Sequence, residues 1–280
     1  MADGAMGTEL QRRKLSLNSC PELYNVTQTE IIQSIHADYY AAGSDIVETN
    51  TFGGSRIRLA QYGNEKRVKE LNRKAAEIAK EVCPDGKFVA GSMGPLGELI
   101  EPLGTVKLTD AYDNFKEQAI ALAEGGADII FVETMMSVEE AETAVKAVKE
   151  ATSLPVSATM TFNITDSGVF TSFGVDAQTA VTRLSDAGAD LIGSNCGEGV
   201  SVILAVLKEM QVLTELPLVG QPNAGKPRLA EKGYIYDETP EYMEPKIREL
   251  AGFNLGILGG CCGTTPDYIK MMRRVLDEKK

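Results

Sequence analysis

Residues 127–162 read ADIIFVETMMSVEEAETAVKAVKEATSLPVSATMTF and contain a strand, a helix and a second strand in succession. The near-continuous apolar run at 129–132 suits a parallel strand buried on both faces. Ser137 and Glu140 have capping-box spacing and open an amphipathic helix. LPVSATMTF, from Leu154, then returns to a strand.

Working outward, the same alternation continues in both directions. SDIVETNTF from Ser44 and KFVAGSMGP from Lys87 precede this unit, and ADLIGSNCG from Ala189, LPLVGQPNAG from Leu216 and NLGILGGCCG from Asn254 follow it. Helix starts are legible between them. Thr27 and Glu30 repeat the capping-box spacing, and Thr239-Pro240 and Thr265-Pro266 each place a cap residue before a proline at the first helical position. The endings at Ala42, Gly125, Ala187 and Ala251 (AGS, GGAD, AGAD and AGFN) put a glycine where a helix must turn left-handed into the next strand. Seven strands are one short of a closed barrel, and MADGAMGTEL supplies an eighth as a strand end opening into a glycine-bearing loop. The count predicts an α/β fold, a (β/α)8 TIM barrel whose site lies on the loops after the C-terminal ends of its strands. A doubly wound sheet is the rival, but no G-x-G-x-x-G follows a strand. No Ser/Gly/Pro-rich linker divides the chain, so residues 1–280 are read as one domain.

Composition narrows the function. Lys and Arg number 28 against 40 Asp and Glu, a formal charge of -12 with no basic stripe, which argues against a nucleic-acid partner. No apolar run reaches the length of a membrane span and the start lacks the regions of a signal peptide, so a cytoplasmic protein away from membranes is expected. Five cysteines in a reducing compartment point to a catalytic or metal-bound thiol instead of a disulfide framework.

On the barrel reading the unusual polar residues gather at one end. Asp3 follows the first strand, Glu48 and Asn50 sit at the second, and Glu133 ends the fourth. Asn195 and Cys196 end the sixth, Asn223 follows the seventh, and Cys261 and Cys262 follow the eighth. Cys196 can therefore converge on the Cys261-Cys262 pair, with Gly259, Gly260 and Gly263 allowing a bent, positive-φ backbone that turns both sulfurs inward. Three thiolates at one site mean zinc with one open position, which suits a substrate thiol. Glu133, at the end of an apolar run, needs a cationic or hydrogen-bonding partner such as an amino-acid ammonium. For Glu48 and Asp3 a structural role, pairing with a lysine or capping a turn, stands beside a binding one. The lone His36 is read as structural, and Cys20 and Cys83 as incidental.

The runs DGAMGTEL, TNTFGG, GSMGPLGE, FVETM, NCGEG, PNAGKP and GGCCGTTP resemble, in order and essentially end to end, the zinc-dependent homocysteine S-methyltransferase family. The resemblance implies a barrel that holds Zn2+ through Cys196, Cys261 and Cys262 and methylates the sulfur of homocysteine, bound in the fourth position, to form methionine. PNAGKP and GGCCGTTP are most similar to the homocysteine module of cobalamin-dependent methionine synthases. That branch implies methylcobalamin or a related methylcorrinoid as donor, free or on a partner protein, and Asn223 as the fourth zinc ligand when homocysteine is absent. Asp3 and Glu133 then receive the homocysteine amino group. The loop amides of Thr51, Phe52 and Gly53, and of Ser92, Met93 and Gly94, receive its carboxylate, because glycine-bearing turns bind anions. In the betaine branch a tyrosine follows the Thr-Phe pair, where this chain has Gly53. The alternatives are a betaine or sulfonium donor (S-methylmethionine or S-adenosylmethionine), a corrinoid-linked demethylase, and a non-enzymatic zinc store or redox sensor. The short lead-in before Asp3 predicts a stunted first strand and a weak seam. The barrel also takes up the whole sequence, so folate or cobalamin modules are not expected within it.

Overall fold

A computed structural model describes residues 1–16, 19–230 and 233–279. In chain order its strands are β1 (Ile46–Glu48), β2 (Phe88–Met93), β3 (Ile129–Met135), β4 (Val156–Met160), β5 (Phe162–Thr165) and β6 (Gly168–Thr171). They continue as β7 (Leu191–Cys196), β8 (Leu218–Pro222), β9 (Arg228–Ala230), β10 (Gly233–Ile235) and β11 (Leu255–Leu258). Seven of them pair in parallel in the order β1-β2-β3-β4-β7-β8-β11. These seven are the strands expected from sequence, and they form a curled, TIM-barrel-like sheet. The antiparallel hairpins β5–β6 and β9–β10 stand apart from it.

The helices are α1 (Met6–Arg12), α2 (Tyr24–Thr27), α3 (Thr29–Ala42), α4 (Arg56–Ala60), α5 (Val68–Glu81) and α6 (Leu108–Glu124). After them come α7 (Val138–Ala151), α8 (Ala177–Asp186), α9 (Val200–Met210), α10 (Pro240–Leu250) and α11 (Pro266–Asp277). Ser137 caps α7 by accepting the Glu140 N–H, and Thr239 caps α10 by accepting the Tyr242 N–H. The box expected at Thr27 does not form. Thr27 already ends α2 and its hydroxyl donates to the Leu23 carbonyl, so α3 starts two residues later at Thr29, with Gln28 at the N-cap position and no side-chain cap. None of the described helices is long and apolar enough to cross a membrane.

Where an eighth strand was expected, residues 1–3 bridge the two ends of the sheet without becoming one. The Ala2 N–H donates to the Leu258 carbonyl at 2.8 Å, while the Met1 carbonyl accepts the Asp45 and Ile46 N–H groups. Three residues are too few for a ladder, yet they join β11 to β1. Tyr39 of α3 clamps this junction by donating to the carbonyls of Ala5 and Thr264.

Side chains alternate along each strand. One set, including Val47, Val89, Ile130, Val132 and Ile192, packs in the large core against the helices. The other forms a small inner core of Ala2, Ala90, Ile129, Phe131, Val219 and Ile257. Two residues further along the strands, the inner set turns polar, and this polar layer is where the site lies.

Candidate active site

The same alternation brings Glu48, Ser92, Glu133, Thr159, Asn195 and Gln221 into one layer above the inner core. Asn195, fully buried, ties the layer together. Its Nδ2 donates to Glu133 Oε2 at 3.1 Å and to Thr134 Oγ1 at 2.8 Å, and its Oδ1 accepts the Thr134 N–H and the Thr159 hydroxyl. Thr134 reaches it from a break in the β3 register, at a φ of 62°. The Ser92 hydroxyl donates to the other oxygen of Glu133.

Cys196 breaks the alternation. Its place in β7 would send its side chain toward the helices with Ile192, but a φ of 64°, uncommon for a residue with a Cβ, re-aims it. Its sulfur joins those of Cys261 and Cys262, and all three lie within 4.8 Å of one another. Of the glycines expected to bend the β11 loop, Gly263 does so at a φ of 84°. Gly259 and Gly260 act differently, by close approach: a Cβ would meet Ala2 at 2.8 Å or Thr264 at 2.3 Å. Hydrogen bonds from Cys261, then Cys262, hold the Cys196 thiol well below the usual range. The cost falls on the other two thiols, which the Cys196 neighbour pushes up.

Asn223 lies beside this set. Its Nδ2 donates to the Gly197 carbonyl at 2.5 Å, while its Oδ1 is buried with no partner among the described residues. Three sulfurs and an unpaired amide oxygen form a donor set that fits a soft, tetrahedral metal ion.

A cavity of about 380 Å³ opens over the layer, with Cys196, Cys261, Cys262, Glu48, Glu133 and Ser92 in its wall. Phe52, Tyr62, Tyr234, Tyr236 and Arg58 also line it, with Phe52, Tyr62 and Tyr234 exposed at its outer side. Asp3 is in the layer beneath, 2% exposed, with Oδ2 accepting the Glu48 N–H at 3.0 Å and Oδ1 unpartnered. Burial raises the carboxyls of Asp3, Glu48 and Glu133; the nearby Glu133 charge raises Asp3 and Glu48 further, whereas hydrogen bonds with Glu48 and Ser92 act to lower Glu133. Among the described residues no lysine or arginine pairs with any of them.

The loop amides sort differently from expectation. The N–H of Thr51 is donated to the Thr49 carbonyl, that of Gly53 to Glu22 Oε1, that of Ser92 to Thr49 Oγ1 and that of Gly94 to the Phe52 carbonyl. These four therefore brace the loops and are not free for an anion, and at Gly53 a buried carboxylate already stands in the anion's place. The Phe52 N–H has no acceptor among the described residues. Met93 packs its side chain into the helix-facing core, and Gly94 leaves room for the Phe52 ring, which a Cβ would meet at 2.5 Å.

Sequence reasoning left Gln221, Tyr234 and Tyr236 unassigned and Glu48 undecided. The Tyr236 ring packs on Gly263 beside Cys262, and burial, then the neighbouring Cys262, pushes the phenol up. The signal available for the tyrosines was GYIYDE after the PNAGKP loop, where alternate tyrosines mark a short strand. His36 is fully buried, in keeping with a structural role.

A family model described as homocysteine S-methyltransferase matches residues 1–276. Methionine synthase of Mycobacterium tuberculosis (strain ATCC 25618 / H37Rv) is 35% identical over 96% of this chain, and that of Mycobacterium leprae (strain TN) is 34% identical. The chain spans 24% of the length of each, about a quarter. Among solved structures, the metallated form of the homocysteine methyltransferase MmuM from Escherichia coli superposes with a TM-score of 0.79 at 26% identity, covering 98% of this chain and 94% of that one.

Proposed function

The chain belongs to the homocysteine S-methyltransferase family, and from that premise we propose that it transfers a methyl group to the sulfur of homocysteine, forming methionine. The observation that carries this reading is the convergence of Cys196, Cys261 and Cys262 in the wall of a cavity that also holds Glu133. The full (β/α)8 reading places this site at the C-terminal face of one barrel formed by the whole chain.

Cys196, Cys261 and Cys262 would hold zinc, with Asn223 Oδ1 as a fourth donor in the absence of substrate. Zinc bound there supplies an ionised substrate thiol at neutral pH, where a free thiol stays largely protonated. The chain's own residues do the rest by placement. Glu133, fixed by Ser92 and Asn195, faces the substrate ammonium with Asp3 adding negative charge behind it. The Phe52 N–H is the loop amide left to meet the substrate carboxylate. Held at both ends, the sulfur is aimed at the cavity mouth, where the methyl donor must arrive.

For the donor, the methionine synthase relatives, Asn223 in PNAGKP and Gly53 in place of a tyrosine support a methylcorrinoid, free or on a partner protein. A corrinoid is far larger than the cavity and would cover its mouth. One observation favours a second reading. Phe52, Tyr62, Tyr234 and Tyr236 line the cavity and are faces on which a betaine or sulfonium cation could rest. Methionine formation from L-homocysteine, measured side by side with methylcobalamin, betaine, S-methylmethionine and S-adenosylmethionine, separates them. The fastest turnover is expected with methylcobalamin. Turnover with a sulfonium or betaine alone would overturn the corrinoid reading, and no methionine from any donor would contradict homocysteine methylation.

A further inference from the structure

Among the described residues Arg58, on α4, is the one cationic side chain in the cavity wall. The chain carries 28 Lys and Arg against 40 Asp and Glu, so carboxylates are in surplus. Every other arginine among the described residues stands in an ion pair. Arg58 does not. On the same helix Arg56 turns away to pair with Glu117, whereas Arg58 Nη1 reaches the neutral amide oxygen of Gln61 at 3.4 Å. Glu22, in the same cavity wall, is taken by the Gly53 N–H and the Cys20 thiol. The Glu48 and Glu133 side chains are engaged in the polar layer by Gln221, Ser92 and Asn195.

The position of Arg58 is built. Its neighbour Leu59 is fully buried in an apolar cluster with Cys20, Val68 and Leu71, which pins α4. Gly97 has a φ of 78°, and a Cβ there would run into the guanidinium. The loop after β2 thus makes room for Arg58 at Gly97 as it does for the Phe52 ring at Gly94. That contact lies beyond the end of β2, outward of Ser92 and the polar layer, and so on the side from which a methyl donor must come. A half-buried guanidinium without an acid offers a fork of N–H groups that matches a carboxylate or a phosphate. Both classes of donor considered above carry such a group, a phosphate in cobalamins and a carboxylate in betaine and the sulfonium amino acids.

We propose that Arg58 anchors the oxyanion of the methyl donor, and that this contact sets the donor's methyl group over the substrate sulfur. The inference rests on the methyl-transfer reading above and adds to it a residue that selects the donor.

The test uses the zinc-loaded protein and two matched pairs of donors, one for each source of the oxyanion. Methylcobalamin carries a phosphate that methylcobinamide lacks, and S-methylmethionine carries a carboxylate that its amide lacks. Methionine formation at saturating L-homocysteine is followed in the wild-type protein and in Arg58→Gln. Each donor is compared only with itself, so differences in intrinsic reactivity cancel. In the pair that is turned over, Arg58→Gln should lower kcat/KM by about tenfold or more with the oxyanion-bearing member. The other member, the zinc content and the KM for homocysteine should be unchanged. An effect on methylcobalamin assigns the phosphate, and one on S-methylmethionine the carboxylate. Independently of turnover, and also if Arg58→Gln fails to fold, the oxyanion-bearing donor should protect Arg58 of the wild-type protein from phenylglyoxal, read by mass spectrometry, where its counterpart does not. Equal losses with both members of a pair, turnover untouched in Arg58→Gln, or modification that neither donor slows would overturn the assignment and leave methyl transfer standing. If the wild-type protein makes methionine from none of these donors, the methyl-transfer reading falls and this inference with it.

Discussion

His36 is buried in α3 with neither ring nitrogen bonded among the described residues, and burial lowers its pKa from 6.5 to about 4. Between these values the unfolded chain takes up a proton that the folded chain refuses. The stability His36 allows is therefore complete above pH 6.5 and falls as pH drops toward 4, by about 3 kcal/mol. The raised acids Asp3, Glu48 and Glu133 act with the opposite sign, since their folded forms hold protons longer as pH rises. Comparison with His36→Leu isolates the histidine. In urea unfolding the wild-type protein should lose about 3 kcal/mol more than the variant from pH 6.5 to 4, and equal losses would contradict a neutral buried ring. At this scale the sequence was legible where residue chemistry is unusual, as with three cysteines at strand ends. It was not legible where a backbone angle decides the outcome. Alternation points Cys196 at the helices, and only its positive φ returns the sulfur to the trio.

At the scale of elements, the seven sheet strands were legible because each is an apolar run bounded by turn residues. The two hairpins were not, since strands of three or four residues carry little periodicity, yet β10 leads directly to Tyr236 beside the thiols. The seam between β11 and β1 is the least regular part of the sheet and relies on a few contacts. One is the Tyr39 hydroxyl, which donates to the Ala5 and Thr264 carbonyls at 3.2 Å. Tyr39→Phe removes these bonds with little change in packing. It should cost about 1 kcal/mol, or roughly 2–4 °C of thermal midpoint in a chain of this size. An unchanged midpoint would mean that the junction is held by backbone pairing alone.

For the whole molecule, the curled parallel sheet explains why residues as distant in sequence as Glu48, Glu133, Cys196 and Cys262 share one cavity. Each stands near the C-terminal end of its strand, and curvature brings those ends together. Apolar side chains fill the layer below, so the strand-borne acids Glu48 and Glu133 stand at the cavity end of the sheet. The family, relatives and cysteine trio support the proposed methyl transfer to a thiol, and they leave the donor to the assay described above. That homocysteine sulfur joins the three cysteine sulfurs on one zinc ion is tested most directly by zinc K-edge X-ray absorption on the purified protein, before and after addition of L-homocysteine. About one zinc per chain is expected, with three sulfur neighbours rising to four on addition and the metal lost in Cys196→Ala. Zinc retained in Cys196→Ala, or a sulfur count that homocysteine leaves unchanged, would contradict the assignment.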